Sequence, residues 1–304
     1  MVGHIAVVSN PSAGKGCGRA SAEVALARLR DLHGDVRAYE GASAAESRTL
    51  VAAALAARPD ALVIVGGDGT LSTVLDLVCA EQVPIALVPS GTGNDLARAL
   101  SLPRHDPAAA AELAVRGAPR AIDVGEVRSA GRTTLFLTIA ALGFDAKVSD
   151  RTNRLRWPRG GARYYLAILI ELARLRPTAF RVGYDGERMQ EAPGTLIAVG
   201  STASYGGGMP VCAGAEPDDG RLDAVHVAPL GRWRLLRLFP LLLSGRHLHR
   251  QEVTHRRVTS VQVAAPDLLV CADGEQVGAG ECTIGIRPGA LTLMVSPTAR
   301  EEQS

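Results

Sequence analysis

The sequence predicts a mixed α/β protein: an N-terminal domain built on a parallel sheet, then a mainly antiparallel β-sandwich domain. Three observations carry this. Residues 1–122 alternate all-apolar strand segments with helix-period segments. The glycine-rich turns of that region each follow a strand end. From about Ile122 short strand-like runs dominate, punctuated by Gly, Pro and Asp.

Taken in order, Ile5–Ser9 is a short apolar strand ending at Asn10-Pro11, and Ser21–Leu32 has helical periodicity. Val36–Tyr39 reads as a strand, and Ala44–Arg58 as an alanine-rich helix stopped by Pro59. Ala61–Val65 is a strand that runs into Gly66-Gly67. Leu71–Ala80 is a helix, Ile85–Val88 a strand, and Asn94–Ala99 opens another helix. Strands apolar at every position need cover on both faces, which a parallel sheet with crossover helices supplies. Ligands of such sheets sit at the carboxyl ends of the strands. The turns NPSAGKG, GGDGT and PSGTGND are therefore predicted to converge on one edge. The second region reads as strands in DVGEV, TLFLTIAAL, FRVGYDG, TLIAVGST, LDAVHVA, RVTSVQVAA, LLVCADGE, CTIGIRP and LTLMVSP. Two helix-like insertions interrupt them, Arg163–Arg176 and Arg232–Leu243. The expected division is 1–122, completed by about 290–304, with 123–289 as the second domain.

The 304 residues are 47% hydrophobic, enough for two cores. Thirty-three Lys and Arg stand against 31 Asp and Glu, so no global field argues for nucleic acid. No helix-turn-helix, RRM or zinc pattern accompanies the charge, and no nucleic-acid partner is expected. Five cysteines, Cys17, Cys79, Cys212, Cys271 and Cys282, include no CxxC pair and fit reduced thiols of a cytoplasmic protein. The start, MVGHIAVVSNPSAGKG, lacks a basic n-region and a long apolar h-region, so no signal peptide is expected. The greasiest stretches, YYLAILIELARL and LLRLFPLLLSG, are short of the ~20 residues that span a bilayer. Both are basic in context. Residues 151–176 carry seven arginines against Glu171, and 232–257 another seven against Glu252. Arginine mixed with Trp, Tyr and Leu suits peripheral contact with an anionic membrane surface; solvated arginines on packed helices are the plainer reading. His247, His249 and His255 lack nearby acid or Cys ligands, so a basic surface cluster is favoured over a metal site.

Both common nucleotide fingerprints are absent. Lys15 is followed by Gly16 rather than Ser or Thr, and no GxGxxG follows the first strand. GGDGT has its own physics. Glycines let backbone N–H groups approach a phosphate, and the following helix brings its positive end to the same spot. Asp68 would repel a phosphate unless Mg²⁺ stands between them. Thr70 can donate to a phosphate oxygen or cap the helix. A tight strand–helix turn with Asp as cap explains the same letters. ADGE sets Asp273 and Glu275 around Gly274, either as a proton acceptor for phosphoryl transfer or as a type I′ hairpin turn. EPDDGRLD, with Asp218, Asp219 and Asp223, is either a hard-cation site or a solvated acidic turn.

NPSAGKG, VGGDGTLSTV and VPSGTGNDLAR, in this order and spacing, resemble the diacylglycerol kinase catalytic domain family, which includes bacterial lipid kinases and the sphingosine and ceramide kinases. ALGFDAKV at 141–148, YGGGMPVCAGAEPDDGRLD at 205–223 and ADGE at 272–275 match its later blocks, so the resemblance covers nearly the whole chain. It implies an NAD kinase/phosphofructokinase-like nucleotide domain and transfer from ATP, with Mg²⁺, to a lipid hydroxyl. By matched position, ATP contacts fall to Asn10, Pro11, Ser12, Ala13 and Gly14, to Gly66, Gly67, Asp68, Gly69, Thr70, Leu71 and Ser72, and to Thr92. Asn94 and Asp95 would brace that last loop, with Asp95 also a candidate for the Mg²⁺–water network. The family's Thr at the end of strand two is missing; Ser43 is the nearest hydroxyl. The resemblance places the proton acceptor in DGE, with Glu275 as base and Asp273 as second candidate or metal neighbour, beside Asp68. It also implies a second Mg²⁺ on the Asp219 carboxylate and the Glu216 and Arg221 carbonyls.

Diacylglycerol is the first acceptor expected, giving phosphatidic acid, with other glycerides, sphingoid bases, ceramides and polyprenols as alternatives. NAD kinases share GGDGT but hold the ribose with an Asn-Glu pair; Asn10, Asn94 and Asn153 are none of them followed by Glu. A non-catalytic sensor has no physical need for Asp68 and Glu275 together. The expected location is cytoplasmic and peripheral to the membrane, and a homodimer stays open.

Overall fold

The computed structural model describes residues 3–9, 17–41, 43–155, 157 and 162–297, with the backbone alone at 17, 44, 45 and 162. The chain forms two compact units, Met1–Asp123 with Pro288–Ser304, and Val124–Arg287.

The first unit carries four parallel strands, β1 (Ile5–Ser9), β2 (Val36–Glu40), β3 (Ala61–Gly66) and β4 (Ile85–Pro89), in the order β2-β1-β3-β4. β1, β3 and β4 are buried at every position, which is why they contain no polar alternation. The helices are α1 (Cys17–Leu32), α2 (Ala44–Ala56), α3 (Asp68–Glu81), α4 (Asp95–Ala99) and α5 (Pro107–Arg116). Apolar periodicity does not announce α5; its start signals do. Asp106 caps it by accepting from Ala109 N at 3.0 Å, and Pro107 opens the first turn. α3 starts at Asp68 rather than Leu71, because a first turn needs no apolar residue.

β5 (Ala118–Ser129) and β16 (Cys282–Val295) carry the chain out of and back into the first unit, where Leu293 pairs with Ile85 of β4 in parallel.

The second unit is a sandwich. One sheet pairs β6 (Arg132–Phe136) with β5, and sets the first half of β16 against β13 (Ser260–Ala264), β8 (Arg181–Tyr184) and β9 (Gln190–Glu191), all antiparallel. The other is antiparallel throughout. Its members are β7 (Ile139–Gly143), β10 (Leu196–Gly200), β11 (Leu222–Val227), β12 (Val253–Val258), β14 (Leu269–Ala272) and β15 (Glu275–Ala279), ordered β12-β11-β10-β7-β14-β15. Phe136, Phe180, Val182, Ile197, Val199, Leu222, Val261, Val263, Val270 and Ile284 fill the space between the sheets. The run TLFLTIAAL is two strands, not one, because the backbone at Leu137 and Thr138 leaves the ladder to bind an aspartate of the β14–β15 turn.

On its outer face the six-stranded sheet packs against helical elements. Ala198, Val225 and Val227 turn outward, alternating with the inward Ile197, Val199 and Ala224. α6 (Phe144–Arg154), α7 (Ala162–Ala173) and α8 (Arg232–Leu243) lie in this unit, and an Arg151–Glu171 ion pair ties α6 to α7. Cys79, Cys212, Cys271 and Cys282 are free thiols. Among the described residues no helix is long and apolar enough to cross a membrane.

Candidate active site

At the carboxyl edge of the parallel sheet two glycine turns lean on each other. A Cβ on Gly67 would stand 2.8 Å from Gly91 Cα, and one on Gly91 would stand 2.6 Å from Gly67 Cα. Neither glycine has a positive φ, so each is required for close approach and not for backbone freedom. Asp68 locks the contact. Its Oδ2 accepts from Asp95 N at 2.7 Å and its Oδ1 from Leu96 N at 3.3 Å, so its carboxylate caps α4. Asn94, in the left-handed region at φ 50°, folds its side chain onto Gly91, accepting from Gly91 N at 3.1 Å and donating to Gly91 O at 3.0 Å. Asp95 is buried and faces Arg98 at 3.6 Å, while Thr92 is exposed at the loop tip.

The N-terminus of α3 has no side-chain cap; its N-cap is Gly67. Thr70 is therefore inside the helix, packed on Gly66, and does not cap it. Leu71 is fully buried and its N–H is bonded to Gly67 O at 3.2 Å. Ser72 is half-buried one residue further on. Gly69 is different: a Cβ there would meet nothing within 4 Å. An uncapped helix start beside an open glycine is a fit for a phosphate. Asn10, Pro11, Ser12, Ala13 and Gly14 lie outside the described residues. Ser43, the hydroxyl nearest the place of the missing Thr, caps α2, accepting from Glu46 N at 3.2 Å. Among the described residues no three His, Cys, Asp or Glu side chains converge on a metal position. Mg²⁺ that travels with phosphates needs only one or two carboxylates, and Asp68 and Asp95 are the acids at this edge.

In the second unit, Asp273 and Gly274 both have positive φ, 49° and 85°, between β14 and β15, which is the type I′ hairpin turn. The Asp273 carboxylate accepts from Leu137 N (2.8 Å), Thr138 N (2.8 Å) and Thr138 Oγ1 (2.7 Å). Its lone pairs are committed to the β6–β7 link. Glu275, the first residue of β15, is exposed. Asn153 of α6 donates to Gly274 O at 2.8 Å and holds the turn from the other side.

In the acidic turn the Asp219 carboxylate has partners of its own. Asp219 Oδ1 accepts from Arg221 N at 2.8 Å, and its Oδ2 is paired with the Arg257 guanidinium. Arg257 arrives because β12 sets it opposite Asp223. A Mg²⁺ on Asp219, Glu216 and Arg221 would share the Asp219 carboxylate with this guanidinium. The three histidines do not form a common surface cluster. His247 is buried on Val211 O at 2.9 Å, His255 is bound to the buried Asp223 at 2.5 Å, and His249 is exposed.

The sequence gives no direct sign of a cavity of about 270 Å³ in the second unit. Its wall comes largely from α6, α7, α8 and strands β10 and β11, and is apolar apart from Asp145, Tyr164, Tyr165, Tyr205 and His247. Tyr165, Leu169 and Leu236 line it and are also largely exposed, so the cavity opens between α7 and α8. Asp145 is 5% exposed, and burial, against the Tyr205 hydrogen bond, pushes its carboxyl up to about 6.

The chain thus sets a parallel-sheet unit with two interlocked glycine turns before a sandwich unit that carries an apolar cavity. Residues 4–127 match the model of the diacylglycerol kinase catalytic domain, and residues 138–295 match the YegS C-terminal NAD kinase beta sandwich-like domain. A diacylglycerol kinase of Mycobacterium tuberculosis is 40% identical over 96% of this chain and 95% of its own length. A probable lipid kinase YegS-like protein of Pseudomonas aeruginosa is 33% identical over 95% of each chain. The chain belongs to the diacylglycerol kinase catalytic domain family of lipid kinases. Among solved structures, a diacylglycerol kinase from Bacillus anthracis superposes with a TM-score of 0.72 at 20% identity, covering 98% of both chains. An NAD kinase from Archaeoglobus fulgidus in complex with ATP gives 0.53 at 18% identity, covering 97% of this chain and 95% of that one. Both likenesses concern the fold.

Proposed function

We propose that the protein is an ATP- and Mg²⁺-dependent kinase that phosphorylates the free hydroxyl of diacylglycerol, giving phosphatidic acid. The observation that carries the reading is the uncapped start of α3 at the open Gly69, fixed to the SGTGND loop by Asp68. Its N–H groups and positive dipole end suit the nucleotide's phosphates. Bound Mg²⁺ would neutralise phosphate charge, with Asp68 and Asp95 as the carboxylates nearest that edge. The lipid oxygen forms the new bond to the γ-phosphorus, the bond to the bridging oxygen breaks, and the hydroxyl proton passes to a base. Glu275 takes that role, since Asp273 is committed to three donors. The carbon-lined cavity suits acyl chain.

Access to such a substrate calls for a membrane. α8 is apolar on two faces: Leu235, Leu238, Phe239 and Leu242 line the cavity, Trp233 (81% exposed) and Leu243 point to solvent, and Leu236 at the mouth does both. Tyr165 and Leu169 do the same on α7. Exposed Arg174, Arg176, Arg232 and Arg237 flank them. This is a surface for the anionic cytoplasmic leaflet. The test is transfer of labelled γ-phosphate from ATP to a panel of lipids in mixed micelles, with NAD as control. Labelled phosphatidic acid is expected; label on another lipid would move the acceptor, and label on NAD would overturn the reading.

A further inference from the structure

Asp145 is a poor fit for a cavity made to hold hydrocarbon alone. Its Oδ1 accepts from the Tyr205 hydroxyl, and Tyr205 is in turn hydrogen-bonded to Tyr164. Its Oδ2 is buried and has no partner. The titratable groups facing it are Tyr205, Tyr164 on α7, Cys212, and Cys271 on β14, with His247 on the same cavity wall. All are neutral near pH 7: burial raises both tyrosines and both thiols, and lowers His247. Among the described residues no cation pairs with Asp145. An ionised carboxylate without a counter-charge is costly in such a place, so the group holds its proton up to about pH 6, well above a free aspartate, and is the neutral acid below that. With Oδ1 already accepting, the proton sits on Oδ2, and a buried O–H needs an acceptor. In the structure Oδ2 has none. A carbonyl of the bound lipid would be one.

We propose that Asp145 is a specificity-determining residue that works as a neutral acid, its Oδ2–H donating to an ester or amide carbonyl of a lipid held in this cavity. The cavity thereby selects acyl-linked over ether-linked chains. The inference rests on the reading of the cavity as the acceptor-lipid site. It does not depend on the base, since the reacting hydroxyl is present in both kinds of lipid.

The experiment compares dioctanoylglycerol with dioctylglycerol, its ether analogue with the same free hydroxyl. Dissociation constants are measured by tryptophan emission on nucleotide-free protein, at about pH 5 and about pH 8. Wild type is expected to prefer the ester roughly tenfold or more at the lower pH, the effect of leaving one buried donor unpaired. The preference should fade at the higher pH, because affinity for the carbonyl is lost as Asp145 gives up its proton. Asp145→Asn keeps a donor in the same place, so it should keep the ester preference at both pH values. Asp145→Leu should bind both lipids within about twofold. Equal binding of the two lipids by wild type, or an ester preference that survives Asp145→Leu, would overturn the proposal alone. Failure of both lipids to bind at either pH would overturn the cavity reading, and the proposal with it.

Discussion

Two glycines of the nucleotide edge are expected to fail in opposite ways when each becomes alanine. A Cβ at Gly91 would lie 2.6 Å from Gly67 Cα and 2.8 Å from Asn94 Oδ1. Neither neighbour is a flexible side-chain end with room to leave. Overpacking of this kind costs about 1–3 kcal/mol. At roughly 2–4 °C per kcal/mol, Gly91→Ala should lower Tm by several degrees. Gly69→Ala meets nothing within 4 Å and sits in the first turn of a helix. Exchanging helical Gly for Ala gains up to about 1 kcal/mol, so this variant should melt no lower than wild type. Its new methyl nevertheless stands over the N–H groups assigned to the phosphates, and ATP should bind roughly tenfold or more weakly. Calorimetric melts and titration of ATP with Mg²⁺ measure both quantities. A Gly69→Ala enzyme with unchanged nucleotide affinity would remove the start of α3 as the phosphate site.

Asp68→Ala should lose both turnover and stability, because it leaves Asp95 N–H and Leu96 N–H without their acceptor at about 1–3 kcal/mol per unpaired group. Asp68→Asn restores a neutral acceptor, so it should melt higher than the Ala variant and still turn over poorly; full activity in Asn would make the residue a clamp only. Glu275→Gln should cut kcat by roughly 10²–10⁴ with an unchanged melt, whereas Asp273→Asn should lower Tm by breaking the hold on Leu137 and Thr138. An effect under about tenfold for Glu275→Gln would take the base away from it. Binding to phosphatidylglycerol vesicles should fall with salt and with Trp233→Asp; sedimentation indifferent to both would remove the docking face.

What the sequence conveys and what it hides follow from how local each signal is. β1, β3 and β4 are legible because every position is buried, and Asp-Gly between strands announces its type I′ turn. α6 is hard to read, since Asp145, Ala146 and Val148 are its only buried side chains and, Phe144 apart, the rest of FDAKVSDRTNR is polar. α8 is plainly apolar by composition, but which face lines a cavity depends on β10, β11 and α7, each supplied by another stretch of chain. Nothing near Asp219 in the chain announces its pairing with Arg257, which β12 brings beside it.

Both motif aspartates show the same hidden step. Asp68 accepts from two consecutive backbone amides, Asp95 and Leu96, and Asp273 from another such pair, Leu137 and Thr138. In each case the partner amides lie far along the chain, at separations of 27 and 28 for the first and 136 and 135 for the second. No local pattern encodes them. A glycine beside each acid lets the turn come close enough for the carboxylate to reach across, so the invariant-looking letters DG serve loop-to-loop locking before they serve chemistry. Loss of turnover at either aspartate therefore reports geometry first. Glu275, exposed at the start of β15, is the position where removing one charge isolates proton transfer.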